Sequence, residues 1–212
     1  MNNKLLTVTV PCYNSQDYMR NCIDSLLTGG DRVEIIIIND GSTDATGRIA
    51  DEYKEKHPNI VKVVHQENGG HGEGINQGVK HACGKYFKVV DSDDKVSEDF
   101  PAFLDALEKC DAAGGVDLAV TNYYYVHTDG VGDRSIDYSS VLPKDRIFEW
   151  KDTKRFKIYQ MLTIHSCTFK TELLKSWHDP LPRKVFYEDN LMICKCLPRG
   201  KTMYYYPHDR YR

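Results

Sequence analysis

Asp91-Ser92-Asp93 sets two carboxylates two residues apart, a spacing that turns both to one side of an extended chain. Two converging carboxylates are hard oxygen ligands of the kind Mg²⁺ or Mn²⁺ takes, with waters and phosphate oxygens completing the shell. A cation held there neutralises charge on a departing diphosphate. Far along the chain, Glu188-Asp189 opens a helical stretch and offers a carboxylate suited to taking a proton from a hydroxyl. Acidic residues also favour a helix start for electrostatic reasons alone.

Three further stretches carry groups that bind rather than react. Val10-Pro11-Cys12-Tyr13-Asn14 ends a strand, with Pro11 fixing the chain direction and Tyr13 offering a flat ring for a base. Asn39-Asp40-Gly41-Ser42-Thr43-Asp44 places a carboxylate where it can accept from a base N–H or a ribose hydroxyl, and Gly41 permits the tight turn. Glu67 to Gly74 holds Gly69, Gly70, Gly72 and Gly74, a backbone that approaches a ligand closely or moves during turnover. It lacks the Lys and Ser/Thr of a phosphate-binding P-loop and does not match the dinucleotide fingerprint. Each stretch also has an ordinary reading: a strand ending in a turn, a helix cap, a flexible surface loop.

These groups are useful only if the fold gathers them. The first half alternates strand and helix signals, which predicts a parallel sheet covered by helices. Strands are expected at Leu5–Val10, Val33–Ile38, Ile60–Val64 and Tyr86–Val90, and helices at Asp17–Leu27, from Ser42 or Thr43 to Lys56, and at Ile75–Ala82. In such sheets ligands collect at the carboxyl ends of the strands, where the Pro11, Asp40 and Asp91 stretches lie. Beyond residue 100 a helix is expected at Phe100–Leu107, a strand at Asp117–Val126, a hairpin or mobile loop at Thr128–Lys144 and a helix at Lys151–Leu162. A strand at Thr163–Phe169, a helix at Glu188–Leu197 and a strand at Thr202–Tyr206 complete the reading. Tyr123-Tyr124-Tyr125 reads as core and sheet-face residues or as the lining of a sugar site, and His165 as a core histidine or an acceptor-facing one.

Composition narrows the function classes. The chain has 212 residues, 41% of them apolar, which suits one folded body rather than disorder. No apolar run reaches the length of a membrane span, and the start lacks a signal-peptide core, so a cytoplasmic setting is expected. A net charge of −3 argues against nucleic acid as a partner. Seven cysteines without paired spacing read as reduced thiols rather than a zinc site. The chain stops at Arg212, just past the last expected strand, which a natural end and a truncation explain equally well.

The ordered set Thr7–Asn14, Ile38–Asp44, Asn68-Gly69-Gly70, Gly84-Lys85-Tyr86, Val90–Asp94 and Glu188-Asp189 resembles the family-2 glycosyltransferases, dense over residues 4–100 and thinner beyond. The resemblance implies a GT-A fold: α/β, Rossmann-like, with a mostly parallel central sheet and helices on both faces. Residues 1–100 would form the nucleotide-sugar-binding half and 101–212 the acceptor half of one domain. It further implies that Pro11, Tyr13, Asn14, Asp40, Asn68, Asp91 and Ser92 contact the donor, usually a uridine one. Asp93 would ligate the metal with His208 as a further ligand, and Asp189 would be the base with Glu188 positioning it. The family often has Ala-Arg-Asn after the glycine loop, whereas this chain has Gly74-Ile75-Asn76, with His71 or Lys80 to supply the missing cation.

The expected reaction is a single in-line displacement, with inversion, of a nucleoside diphosphate by an acceptor hydroxyl, in cell-surface polysaccharide or wall-polymer synthesis. Membrane association would come through partners or a segment outside this sequence. Two rivals are a sugar-phosphate nucleotidyltransferase and a non-catalytic nucleotide-sugar-binding module. The first calls for an N-terminal Gly-rich loop with Arg and Lys, which Val8–Ser15 does not contain.

Overall fold

The computed structural model describes residues 4–125, 134–176 and 179–211, the last four by backbone alone. One nine-stranded sheet runs through the molecule in the order β3-β2-β1-β4-β8-β5-β9-β7, with β6 paired to β5. Its first half comprises β1 (Leu6–Cys12), β2 (Val33–Asp40), β3 (Val61–Gln66) and β4 (Tyr86–Val89). These four are mutually parallel, with Val8 opposite Ile35 and Lys88 in register. Every residue of β1 and β2 is buried. Ile35–Ile38 of β2 is accordingly an unbroken apolar run, whereas β1 alternates Leu6, Val8 and Val10 with the buried Thr7 and Thr9.

The second half is mixed. β8 (Cys167–Lys170) runs antiparallel to both β4 and β5 (Leu118–Tyr125), and β9 (Thr202–Tyr211) runs parallel to β5. β6 (Arg134–Ile136) and β7 (Ile147–Glu149) add antiparallel edges. The strand order reverses at β1, since β2 and β3 lie on one side of it and β4 on the other. The crevice beyond the carboxyl ends of β1 and β4 is therefore the expected ligand position.

The helices are α1 (Met19–Leu27), α2 (Thr46–Lys56), α3 (His71–His81), α4 (Phe100–Ala112), α5 (Thr171–Lys175) and α6 (Glu188–Cys196). In α1 the buried stripe is Met19, Cys22, Ile23 and Leu26, at helical spacing. Tyr18, inside the range expected for this helix, precedes it and is exposed. α2 starts later than its Ser/Thr cap signal implied, because Asp44 Oδ1 accepts from Thr46 N–H at 2.9 Å and takes the capping role. α3 starts four residues before Ile75, so the second half of the glycine-rich stretch, with Gly72 and Gly74, is helix. Its glycines serve close packing: a Cβ on Gly78 would lie 2.6 Å from Thr9 Cβ, and one on Gly74 3.1 Å from Pro11 Cβ.

The helix expected at 151–162 is a short 3-10 turn, Trp150–Asp152, followed by irregular chain. Its backbone and polar groups bond across the molecule rather than four residues back. Lys154 N–H donates to Val141 O, Gln160 Nε2 to Asp137 O, and Tyr138 Oη to Met161 O. The strand expected from Thr163 begins at Cys167, after a 3-10 turn over Ile164–Ser166. β6 falls in the stretch read as a hairpin or loop, part of which lies outside the described residues. No helix of the described residues is long and apolar enough to cross a membrane.

Candidate active site

The loops after β1 and β2 are bound into one rim. Asn14, in the left-handed region at φ 50, accepts from Thr43 N–H at 2.9 Å, and its own N–H donates to Ser42 Oγ at 3.0 Å. Ser15 N–H donates to Thr46 Oγ1 at 2.7 Å, and Gln16 and Asp44 exchange bonds with Ala45 and Gln16 N–H groups. Tyr13 stands out from this rim, 55% exposed, as a base-stacking ring requires. Pro11 is buried beneath α3. Across the crevice, Ser15 Oγ and Ser92 Oγ lie 2.8 Å apart, which joins the β1 loop to the β4 turn.

Asp40 ends β2 with a buried carboxylate. It accepts from Gln66 Nε2 at 2.6 Å, Gly69 N–H at 2.7 Å and Gly70 N–H at 2.8 Å. Asn68 Nδ2 donates to Asp40 O at 3.0 Å. The carboxylate thereby fixes the glycine turn, and Gly70 takes φ +87, which a side chain would strain.

The turn leads directly into His71, the first residue of α3. Its Nε2 lies 2.8 Å from Asp91 Oδ1 and its Nδ1 2.7 Å from Glu188 Oε1. Burial draws the imidazole pKa down, but the two carboxylates outweigh it and raise it to about 9. Glu188 is buried and next to Asp189, so one ring connects the end of β4 to the start of α6.

β4 stops at Val89, and residues 91–94 form a turn closed by Asp94 N–H to Asp91 O at 3.0 Å. Strand alternation therefore does not govern Asp91 and Asp93. The turn brings Asp91 and Asp94 together, and His165 joins them from the 3-10 turn before β8, with ligand atoms all within 4.8 Å. Asp93 is exposed and stands outside this group. Two carboxylates and an imidazole suit a divalent cation of the Mg²⁺, Mn²⁺ type. Burial holds the His165 pKa below its ordinary value, leaving the neutral ring that a cation uses. Beneath it the buried Lys88 donates to His165 O at 2.6 Å, which fixes that turn. The side chain of His208 lies outside the described residues.

The cation missing at Ile75 does not come from Lys80. Ile75 is fully buried, and Lys80 sits near the far end of α3, about 13 Å along the axis from His71. The basic side chains beside the glycine turn belong to the segment before α6. Lys184 N–H donates to Gly69 O at 2.9 Å, and a Cβ on Gly69 would lie 3.0 Å from an Arg183 guanidinium nitrogen. Asn76 clips the same segment by bonds with Leu181 O at 2.9 Å and Leu181 N–H at 3.0 Å. Sequence reasoning missed Asp94 as a partner, along with Arg183 and Lys184. Only the fold sets them beside groups distant in the chain.

Phe186 and Tyr187 are 88% and 79% exposed immediately before Glu188. Tyr125 and Tyr159 are also exposed, with Arg134 lying 5.1 Å from the Tyr159 ring centre. Tyr123 is buried, against Tyr125 and His165, so the tyrosine run is part core and part surface.

Residues 7–171 match the sequence profile described as Glycosyl transferase family 2. The chain is 34% identical over 163 residues to glycosyltransferase GlyA of Streptococcus pneumoniae serotype 4, covering 72% of this chain and 23% of GlyA. It therefore spans about a quarter of that relative's length. Among solved structures, S. aureus TarS 1–349 in complex with UDP-GlcNAc superposes with a TM-score of 0.78 at 24% identity, covering 98% of this chain and 57% of TarS. Mannosyltransferase PcManGT from Pyrobaculum calidifontis, in complex with GDP-Man and Mn²⁺, gives 0.63 at 18% identity, with 97% and 55% covered. The fold is accordingly of the GT-A type.

Proposed function

The chain belongs to glycosyl transferase family 2, and we propose that it moves a sugar from a nucleoside diphosphate donor to an acceptor hydroxyl with inversion at the anomeric carbon. The observation that supports this reading is that His71 joins Asp91, at the switch point of the sheet, to Glu188, the residue before Asp189 at the start of α6. This separation into a donor side and a base side is what in-line displacement needs.

In the reading proposed, Tyr13 stacks on the base, and Asn14, Asp40 and Asn68 line the nucleoside side. Pro11 shapes the wall behind it. Ser92 and Asp91 face the ribose and sugar. Asp91, Asp94 and His165 would hold a divalent cation, with Asp93 and His208 as the further ligands that the family resemblance implies, and when bound it would offset negative charge on the diphosphate. Arg183 and Lys184 add positive charge beside the glycine turn. Asp189 takes the proton of the acceptor hydroxyl as that oxygen bonds to the anomeric carbon. The bond from that carbon to the diphosphate oxygen breaks, and its electron pair leaves with the nucleotide. Glu188 holds the base in place.

The TarS complex supports a uridine donor, and the exposed Tyr125, Tyr159, Phe186 and Tyr187 support a carbohydrate or polymer acceptor, since sugars pack on aromatic faces. Cell-surface polysaccharide synthesis at the inner membrane face is the setting we propose. The family makes the nucleotidyltransferase alternative unnecessary. Purified protein offered a panel of nucleotide sugars with Mn²⁺ should release nucleoside diphosphate from one of them. Binding of UDP without any turnover, across donors and acceptors, would leave a binding module instead.

A further inference from the structure

His71 occupies an unusual position for a single side chain. A neutral imidazole carries one N–H, yet both ring nitrogens face carboxylate oxygens at hydrogen-bonding distance. One ring thus spans from the carboxylate that follows β4 to the carboxylate that opens α6. The ring is rigid, so its width sets the gap between Asp91 and Glu188. A flexible lysine in its place would not fix that distance.

The segment leading to α6 is held further back, at Leu181 by Asn76 and at Lys184 by Gly69 O, and Glu188 adds a tie at the start of α6 itself. The residue before it, Tyr187, sits in the left-handed region at φ 65, and no side chain caps the helix. Gly72 leaves room for Glu188 to reach His71, since a Cβ there would lie 3.0 Å from Glu188 Cγ and 3.0 Å from Pro182 O. The Glu188 side chain is only 8% exposed, and a buried carboxylate that loses its partner is strongly disfavoured.

We propose that His71 is a positioning residue: it ties the first turn of α6 to the end of β4, and so aims Asp189 across the crevice at the donor. The inference rests on the proposed glycosyl transfer for its catalytic consequence, but the tie itself does not. His71 touches neither donor nor acceptor in this role. It acts through Glu188 on one side and Asp91 on the other.

Two measurements on the whole chain test it. In hydrogen–deuterium exchange, His71→Ala should speed amide exchange in residues 190–194 by about tenfold or more, while β1 and β2 stay protected as in the wild type. In transfer assays, His71→Ala and Glu188→Gln should each lower kcat by about 10- to 1000-fold, more than they change KM for the donor, and the double variant should be little worse than either. His71→Gln, which keeps a donor and the volume, serves if the alanine variant does not fold, and is expected to fall between wild type and Ala. Unchanged exchange at α6 overturns the proposal whatever the activity. Faster exchange with undiminished transfer overturns it too, as does full additivity of the two substitutions. A wild-type protein inactive on every donor sinks the proposed function instead, and the exchange result still decides whether the tie exists.

Discussion

The carboxylate of Asp40 accepts the Gly70 N–H at 2.8 Å, so the residue expected to read the nucleoside also fixes the turn that starts α3. An isosteric amide cannot reproduce this. Asp40→Asn would turn an NH₂ group toward one of three donors and leave that donor unsatisfied, at a cost of about 1–3 kcal/mol. Nucleotide affinity should fall about 5- to 100-fold in calorimetry, with the far-UV spectrum unchanged. Wild-type affinity in this variant would remove Asp40 from both roles.

Asp189→Asn keeps shape and charge-free hydrogen bonding but cannot take a proton. Transfer should drop by about 10²–10⁴ in kcat, the usual share of a general base. Nucleotide binding should persist. Transfer at the wild-type rate would exclude Asp189 as the base.

Manganese binding, followed by the electron paramagnetic resonance of free Mn²⁺, separates two ligand sets without an activity assay. Asp94→Ala and His165→Ala are expected to weaken binding about tenfold or more, because both line the group around Asp91. If only Asp93→Ala does so, the ion sits on the outer side of the turn, as sequence spacing alone suggests.

Glu34 predicts an acid-sensitive fold remote from the crevice. Burial pushes its carboxyl up, but Lys62 at 2.5 Å, Thr7 Oγ1 and Cys83 N–H overcome this and hold it below its ordinary 4.5. A lowered folded-state pKa means that the stabilisation is complete above that ordinary value and is lost as pH falls below it. Urea midpoints of the wild type should therefore decline between about pH 5 and pH 3, whereas Glu34→Gln should be less stable at neutral pH and flatter in acid. Equal slopes would show that Glu34 titrates alike in both states.

Gly78→Ala tests the packing of α3 on β1. The added methyl meets the Thr9 side chain, so the gain in helix propensity is outweighed by overpacking of about 1–3 kcal/mol. Thermal unfolding should move to lower temperature, and a stabilised variant would mean that α3 shifts freely.

The parallel half of the sheet is legible in the sequence because β1 and β2 are rich in β-branched residues and β2 holds the unbroken apolar run Ile35–Ile38. The second half is not, since its strands are short and its chain is held by distant partners, as at Gln160 and Lys154. Glycines near 70 suggest a loose loop by composition, yet Pro11 presses against Gly74 and Glu188 against Gly72, contacts visible only once α3 lies on β1 and beside α6. Residue types and order single out Asp40, Asp91 and Asp189 as candidates for the site. What the order conceals is the turn at 91–94, which exchanges Asp93 for Asp94 beside Asp91, and the ring of His71 between residues remote in sequence.

The bonds that stitch Asn14, Ser15 and Gln16 to residues 42–46 bear on how a ligand is met. The rim is already ordered through backbone amides and short side chains, so its conformational entropy is surrendered when the chain folds and not at the encounter. Association there is expected to involve little loop rearrangement.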